Sequence, residues 1–277
     1  FGSGWRNQQF LLDLKEKRES ETMYTMSARI RYSETDWSGK LPVSGILDYF
    51  QDCSVFQSEE LGLGVKYLAD HHRAWILNSW QLEIVRLPEE CELVTIETWA
   101  SGFDKFHGTR NFTMKDQSGD FVAYANSLWV YMDLETGRPT RPSKEEILKY
   151  HVETPLEMEY QPRKIRTPKE WEDGEPVRVK RDWIDSNHHV NNSYYVKTAC
   201  DELPKDIFIK RLRVEYRRQA VESDVLYPKT AQEDGRITVA LCDQKGKPYA
   251  VTEFLTQKKS AESQSTAGGK DRWKQEK

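Results

Sequence analysis

Between Pro42 and Leu61 the apolar side chains recur at helical spacing. Ile46, Leu47, Phe50, Cys53 and Leu61, with Gln57 among them, fall near one face, and Pro42 stands at the entrance. The pattern predicts a helix over about Val43–Leu61. Beyond it the chain alternates instead. WILNSWQLEIVRL, CELVTIETWAS, HGTRNFTMKD and DFVAYANSLWVYMD are rich in β-branched and aromatic residues and are broken by turn signals such as Gln117-Ser118-Gly119. Strands joined this way are antiparallel hairpins, and one long helix can cover one face of their sheet. The same order then returns: a second helix over about Asn192–Glu202, followed by IFIKRLRVEYRRQ, DVLYPKTAQE, GRITVALCDQ and PYAVTEFLTQ.

The recurrence extends to individual residues. LEIVRLPEECELV (Leu82–Val94) aligns without gaps on VEYRRQAVESDVL (Val214–Leu226), setting Glu83 on Glu215, Arg86 on Arg218 and Glu92 on Asp224. KDQSGDFVAYA from Lys115 resembles CDQKGKPYAVT from Cys242, and Asp36 precedes the first helix as Asp185 precedes the second. Matches in one order imply two homologous α+β halves, at 23–140 and 177–257. The stretch between them, 141–176, carries many charges and prolines and reads as a linker over the surface, with a short helix at Lys144–Tyr150. Residues 1–22 hold no methionine, so Met23 and Met26 are the first candidate starts. This segment lacks the basic-then-apolar order of a signal peptide, and its acidic residues argue against a transit peptide. It reads as an appended, disordered extension, with an N-terminal helix as the alternative. Residues 258–277 read as a solvated, disordered tail.

Composition narrows the function classes. With 37% hydrophobic and 31% charged residues the chain is globular rather than disordered. No run approaches the roughly 18 apolar residues of a membrane helix. A net charge of −4, evenly mixed, does not suggest a nucleic-acid binder. The four cysteines, Cys53, Cys91, Cys200 and Cys242, lack CxxC spacing. They suggest neither a disulfide framework nor a zinc site, and a reducing, cytoplasmic location is the expectation. Standing in or beside helices and strands, they read as core filler. GxSxG, HExxH, Walker A and GxGxxG sequences are absent. His71-His72 reads as part of a solvated loop, and His107 and His151 stand alone in polar company.

The exception is DWIDSNHHVNNSYYV, Asp182–Val196. Asp185, Asn187 and His189 form D-x-N-x-H just before the second helix. A carboxylate, an amide and an imidazole within five residues can orient one another around a water and a carbonyl, and the helix N-terminus offers unpaired N–H groups to an oxyanion. The same residue types also suit a helix-capping turn, and composition alone favours the cap.

With VEYRRQAVESDVL, the segment DSNHHVNNSYYV resembles the plant and bacterial acyl-ACP thioesterases, and the similarity spans about Met26–Gln257. The resemblance implies a double hotdog, a long helix wrapped by an antiparallel sheet twice in one chain. It implies hydrolysis of fatty acyl-ACP thioesters, with acyl carrier protein bearing a fatty acyl phosphopantetheine as partner. No cofactor, metal, nucleic acid or integral membrane segment is expected, and a homodimer is allowed. It further implies that Asp185, Asn187 and His189 are catalytic and that the N-terminal half houses the acyl chain. There the matching stretch is Asp36-Trp37-Ser38-Gly39-Lys40, with Ser for Asn and Lys for His. Plant members carry Glu-Cys after Y-R-R, where this chain has Gln219 and Ala220. A thiolate nucleophile is thereby excluded at that position, and water attack is the simplest mechanism. His189 serves as general base and then acid, Asp185 orients it, Asn187 holds the thioester or the water, and Gln219 can hydrogen-bond the water. Direct attack by Asp185, giving an anhydride, is the alternative.

Ile46, Leu47 and Phe50 on the helix and Trp75, Leu77 and Trp80 on the first strand are the expected acyl-chain residues, although a helix on a sheet needs such a contact anyway. Lys and Arg exceed Asp and Glu between Gln161 and Arg218. Arg211, Arg213 and Arg217 alternate with apolar residues there, and are expected on the outer sheet face as a docking patch for an acidic carrier. An acyl-CoA thioesterase, a dehydratase acting on 3-hydroxyacyl thioesters and a non-catalytic acyl-binding protein are the competing readings.

Overall fold

The computed structural model describes residues 23–205, 207–233 and 235–258. The extension expected at 1–22 and the tail expected after Lys258 lie outside the described residues. In the N-terminal half the elements are β1 (Tyr24–Arg29), α1 (Val43–Glu60), α2 (Val65–Asp70), β2 (Arg73–Ile84), β3 (Leu93–Asp104), β4 (His107–Lys115), β5 (Phe121–Asp133), β6 (Arg138–Pro139) and α3 (Lys144–Lys149). The C-terminal half holds β7 (Glu172–Asp173), β8 (Val177–Arg178), α4 (Asn192–Asp201), β9 (Ile207–Tyr216), β10 (Val225–Glu233), β11 (Arg236–Cys242) and β12 (Pro248–Lys258). Both long helices, all eight long strands and the short helix at Lys144 stand within a few residues of their expected places. The edge strand β1 and the short α2 were not expected.

The two halves do not form separate sheets. Their strands join in one antiparallel 12-stranded sheet of order β1-β3-β4-β5-β2-β9-β12-β11-β10-β7, with β6 paired to β5 and β8 to β10. The junction pairs β2 with β9, from Ser79 opposite Glu215 to Glu83 opposite Arg211. Helices α1 and α4 share one core and touch, with Asn192 Nδ2 donating to Gln51 Oε1 at 3.2 Å. Ile46, Leu47, Phe50 and Cys53 of α1 bury their face on Trp80, Leu82, Phe112 and Met114, and the core continues through Leu212 and Val214 to Tyr195, Val196 and Ala199. A bulge between Leu77 and Ser79 resets the alternation of β2, so that Leu77 and Trp80, three apart, reach the same core. Burying each such side chain contributes about 1.5–3 kcal/mol.

The opposite face is polar yet covered. The linker crosses it as a strap, and the strands it passes supply its hydrogen bonds in turn, as buried backbone requires. Trp99 Nε1 of β3 donates to the Thr154 carbonyl at 3.0 Å, and Asn111 Oδ1 of β4 accepts the Leu156 N–H at 3.2 Å. Gln81 of β2 accepts the Gln161 N–H at 2.8 Å and donates to the Glu159 carbonyl at 2.7 Å. On β9, Arg213 donates to the Pro162 and Lys164 carbonyls, and Glu215 accepts the Ile165 N–H at 3.1 Å. Ile165 then packs on Ala240, Cys242 and Val251.

Candidate active site

Each helix is entered through the same turn. Before α1, Asp36 Oδ1 accepts the N–H groups of Ser38 at 2.8 Å and Lys40 at 3.3 Å, while the Asp36 N–H donates to the Lys40 carbonyl at 2.9 Å. Before α4, Asp185 Oδ1 accepts the N–H groups of Asn187 at 2.8 Å and His189 at 3.4 Å, and the Asp185 N–H donates to the His189 carbonyl at 2.9 Å. The fourth position is left-handed in both, with φ +73° at Gly39 and +63° at His188. That conformation costs glycine nothing and a histidine a little. A short 3₁₀ turn precedes each, at Tyr32–Glu34 and Arg181–Trp183. The expected repeat therefore holds bond by bond.

The D-x-N-x-H turn does not cap the helix. The N-cap of α4 is Asn191, whose side chain accepts the Ser193 N–H at 3.1 Å. Asp185 holds its own turn by backbone bonds, and the side chains of Asn187 and His189 are left to other work. Asn187 is exposed, and its carboxamide bonds to no described residue. His189 is half-buried, and its Nδ1 is buried without a hydrogen-bond partner among the described residues. An unsatisfied buried nitrogen costs about 1–3 kcal/mol.

Gln219 joins this group through the backbone. The Val190 N–H donates to the Ala220 carbonyl at 2.9 Å, which brings the segment after β9 alongside His189. Gln219 is exposed there, whereas Ala220 is fully buried. Asp185, Asn187 and His189 thus share one turn, and the Gln219–Ala220 segment is hydrogen-bonded alongside it through Val190. The arrangement offers a base, an amide to hold a carbonyl or a water, and a second amide beside them. Tyr195, whose hydroxyl accepts the Ala220 N–H at 2.7 Å, was missed in the sequence, because its partner lies far along the chain.

The expected acyl-chain residues separate into two groups. Ile46, Leu47, Phe50, Leu77 and Trp80 lie in the closed core, where Phe50 stacks on Phe112 at 5.1 Å and Trp80 meets Phe112 at 4.9 Å. Of the six, Trp75 lines a crevice instead, with Leu68, Phe103, Tyr131 and Tyr150 among its neighbours. At the end of α1 the buried Arg110 donates to Gln57 and to Thr98 Oγ1 and lies 5.5 Å from the centre of the Tyr150 ring.

The arginines expected to dock a carrier are held in ion pairs within the chain. Arg211 and Arg213 do occupy the outer face, but the strap covers it and carboxylates neutralise them. Arg211 pairs with Glu83 at 2.5 Å and Glu159 at 3.0 Å, Arg213 pairs with Glu253 at 2.7 Å and is 8% exposed, and Arg217 pairs with Glu215 at 3.1 Å. All three are ion-paired, and Arg217 is exposed. Among the cysteines, Cys53 and Cys242 are buried and Cys200 partly so, and burial pushes the Cys53 and Cys200 thiols up to about 12. Cys91 departs from the expected core role: it is exposed, at φ +64° in the turn before β3.

Comparison with known proteins matches two domains of one family. Residues 21–150 match the acyl-ACP thioesterase N-terminal domain and residues 166–274 match its C-terminal domain. A chloroplastic acyl-carrier-protein hydrolase of Cuphea viscosissima is 25% identical over 82% of this chain and 61% of its own length. A chloroplastic oleoyl-acyl carrier protein thioesterase of Arabidopsis thaliana is 27% identical over 58% of this chain and 48% of its own. The chain thus spans between about half and three-fifths of the length of these curated relatives. An acyl-ACP thioesterase structure from Bacteroides thetaiotaomicron superposes with a TM-score of 0.78 at 21% identity, covering 85% of this chain and 98% of that one. The 12:0-ACP thioesterase of Umbellularia californica does so with a TM-score of 0.74 at 18% identity, covering 86% and 98%. Both likenesses establish the double-hotdog fold.

Proposed function

This chain belongs to the acyl-ACP thioesterase family, and from that membership we propose that it hydrolyses fatty acyl-ACP thioesters to free fatty acid and holo-ACP by water attack. The observation that carries the reading is the Asp185 turn. It repeats the backbone of the Asp36 turn, yet it presents an unengaged carboxamide and an imidazole with an unpartnered nitrogen, and Gln219 is drawn in beside them.

His189 takes a proton from water as the water adds to the thioester carbonyl, and returns it to the departing thiol. Asp185 keeps the turn, and so the imidazole, in place through its two backbone bonds. Asn187 holds the carbonyl oxygen or the water, and Gln219 hydrogen-bonds the water. With Ala220 buried beside them and no cysteine at that position, the nucleophile is water rather than a thiolate. The acyl chain enters the N-terminal half, where Trp75 and its crevice mark the way in and the aromatic core of Phe50, Trp80 and Phe112 sets the limit.

Thiol release measured on acyl-ACP and acyl-CoA, with product identification, tests the reading. Release from acyl-ACP is expected to exceed release from acyl-CoA and to be lost in His189→Ala and in Asp185→Ala, which removes both backbone bonds of the turn. Near-normal turnover in a folded His189→Ala protein would end the proposal. Faster release from acyl-CoA would assign the other carrier, no release from either would favour an acyl-binding role, and an acyl group trapped on Asp185 would select the anhydride route.

A further inference from the structure

In the C-terminal half two tyrosines fasten the helix beyond the Asp185 turn to the end of β9. Tyr195, in the first turn of α4 and 2% exposed, accepts the Ala220 N–H on its hydroxyl at 2.7 Å. Tyr216, the last residue of β9, donates its hydroxyl to the Asn192 carbonyl at 3.0 Å. The two rings meet edge to face with centroids 5.8 Å apart. Burial pushes the Tyr195 phenol up to about 12, so it is a neutral hydroxyl at working pH.

The internal repeat shows what the fold itself requires. When the two halves are aligned, Tyr195 falls on Ile46, Tyr216 on Ile84 and Ala220 on Pro88. Isoleucine has no hydroxyl and proline has no N–H, so the N-terminal half can make neither tie. It builds the same turn regardless: the Leu41 N–H donates to the Pro88 carbonyl at 2.8 Å, as the Val190 N–H donates to the Ala220 carbonyl at 2.9 Å. Ile46 is fully buried, as Tyr195 nearly is. The polar tie is therefore dispensable for the architecture and present only in the half that carries D-x-N-x-H.

We infer that Tyr195 is a positioning residue of the hydrolytic site: by holding the Ala220 N–H it fixes the Gln219–Ala220 segment against the Asp185–His189 turn and so aims Gln219 at the water that His189 activates. Gln219 lies outside any strand or helix, and its neighbour Ala220 has both backbone groups engaged, the carbonyl by Val190 and the N–H by Tyr195. A segment clamped at both groups keeps the register that near-attack geometry demands. The inference rests on the proposed hydrolysis at this site.

Two substitutions remove the same bond from opposite ends, Tyr195→Phe and Ala220→Pro, the latter copying Pro88. Each is expected to lower kcat on the order of 10-fold while leaving KM within about twofold. The double variant is expected to be no slower than the worse single one, as for partners in one interaction. Gln219→Ala, harmful in the native background, is expected to add nothing in Tyr195→Phe. Native kcat in folded Tyr195→Phe, a harmless Gln219→Ala, or multiplying losses of Tyr195→Phe and Gln219→Ala would overturn the assignment. If Ala220→Pro does not fold, the Tyr195→Phe and Gln219→Ala pair decides alone. His189→Ala separates the two levels: an active His189→Ala protein sinks the hydrolytic reading, whereas an inactive one beside fully active Tyr195→Phe sinks only this assignment.

Discussion

The turns at Asp36 and Asp185 have the same backbone bonds and opposite uses of their side chains. In the N-terminal turn the Ser38 hydroxyl donates back to Asp36 Oδ1 at 2.6 Å, and Lys40 reaches Glu89 at 3.9 Å. Its polar groups are consumed locally. In the C-terminal turn the Asn187 amide points to no described partner, and a buried nitrogen of His189 is unsatisfied among the described residues. The helices differ in the same sense: α1 runs from Val43 to Glu60 and lays an aromatic core against the sheet, while α4 ends at Asp201 and is tied by tyrosine hydroxyls. The same backbone turn engages its own side-chain groups in one half and leaves them unengaged in the other.

The sharpest way to break the comparison is to alter matched residues. His189→Ala is expected to reduce kcat/KM on acyl-ACP by roughly 10²–10⁴-fold. Lys40→Ala, at the equivalent position, is expected to stay within about twofold, because its exposed ion pair is worth little. Equal losses would abolish the division of labour. Next in size is Phe50→Ala, which empties the stack on Phe112 and Trp80 and should cost about 3–5 kcal/mol in a urea titration. Trp75→Ala, at the crevice, should cost less stability and shift the chain lengths released. A product profile moved by Phe50→Ala and untouched by Trp75→Ala would put the chain elsewhere.

Arg213→Ala tests whether the outer-face arginines hold the strap. It leaves Glu253 with only the longer pair to Arg236 and two strap carbonyls without their donor, and should cost about 3 kcal/mol by chemical denaturation. A change in the salt dependence of kcat/KM with no loss of stability would restore the docking role instead. The smallest effect is expected at Asp48 of α1. Desolvation by burial raises its carboxyl to about 6, partly opposed by its hydrogen bond to Ser193, although part of the residue stays exposed. The folded protein thus holds this proton more tightly than the unfolded chain, so the group costs stability as pH rises from about 4 through 6. Asp48→Asn should stabilise the fold more at pH 7 than at pH 5, by less than about 1 kcal/mol after solvent screening, as read from melting curves at the two pH values. A larger gain at pH 5 would reverse the sign and refute the assignment.

The fold was largely legible because its two periods are plain in the chain. The helical spacing of Ile46, Phe50 and Cys53 and the alternation of the strands each point to one element type. The site was half legible. D-x-N-x-H supplied its candidates, but which residue caps α4 depends on the backbone of Asn191, and the tie from Tyr195 to Ala220 joins positions that no periodicity relates. The outer face was ambiguous for a physical reason. Arg211 and Arg213 alternate with apolar residues whether water or a strap lies over them, and only the covering segment decides between a docking patch and a buried ion-pair network.

That strap has a consequence for how the two halves came to differ. A symmetric pair of identical hotdog chains meeting edge to edge would carry every substitution twice, so a change suited to the acyl chain would also fall on the chemistry. Here residues 154–165 run from β3 across the seam to β9 and bind the halves into one inheritance unit with two separately editable copies. Lys40 can therefore differ from its counterpart His189, and Ile46 from its counterpart Tyr195. The covalent crossing also makes the pairing of β2 with β9 independent of protein concentration, so specialisation did not have to be bought with weaker association.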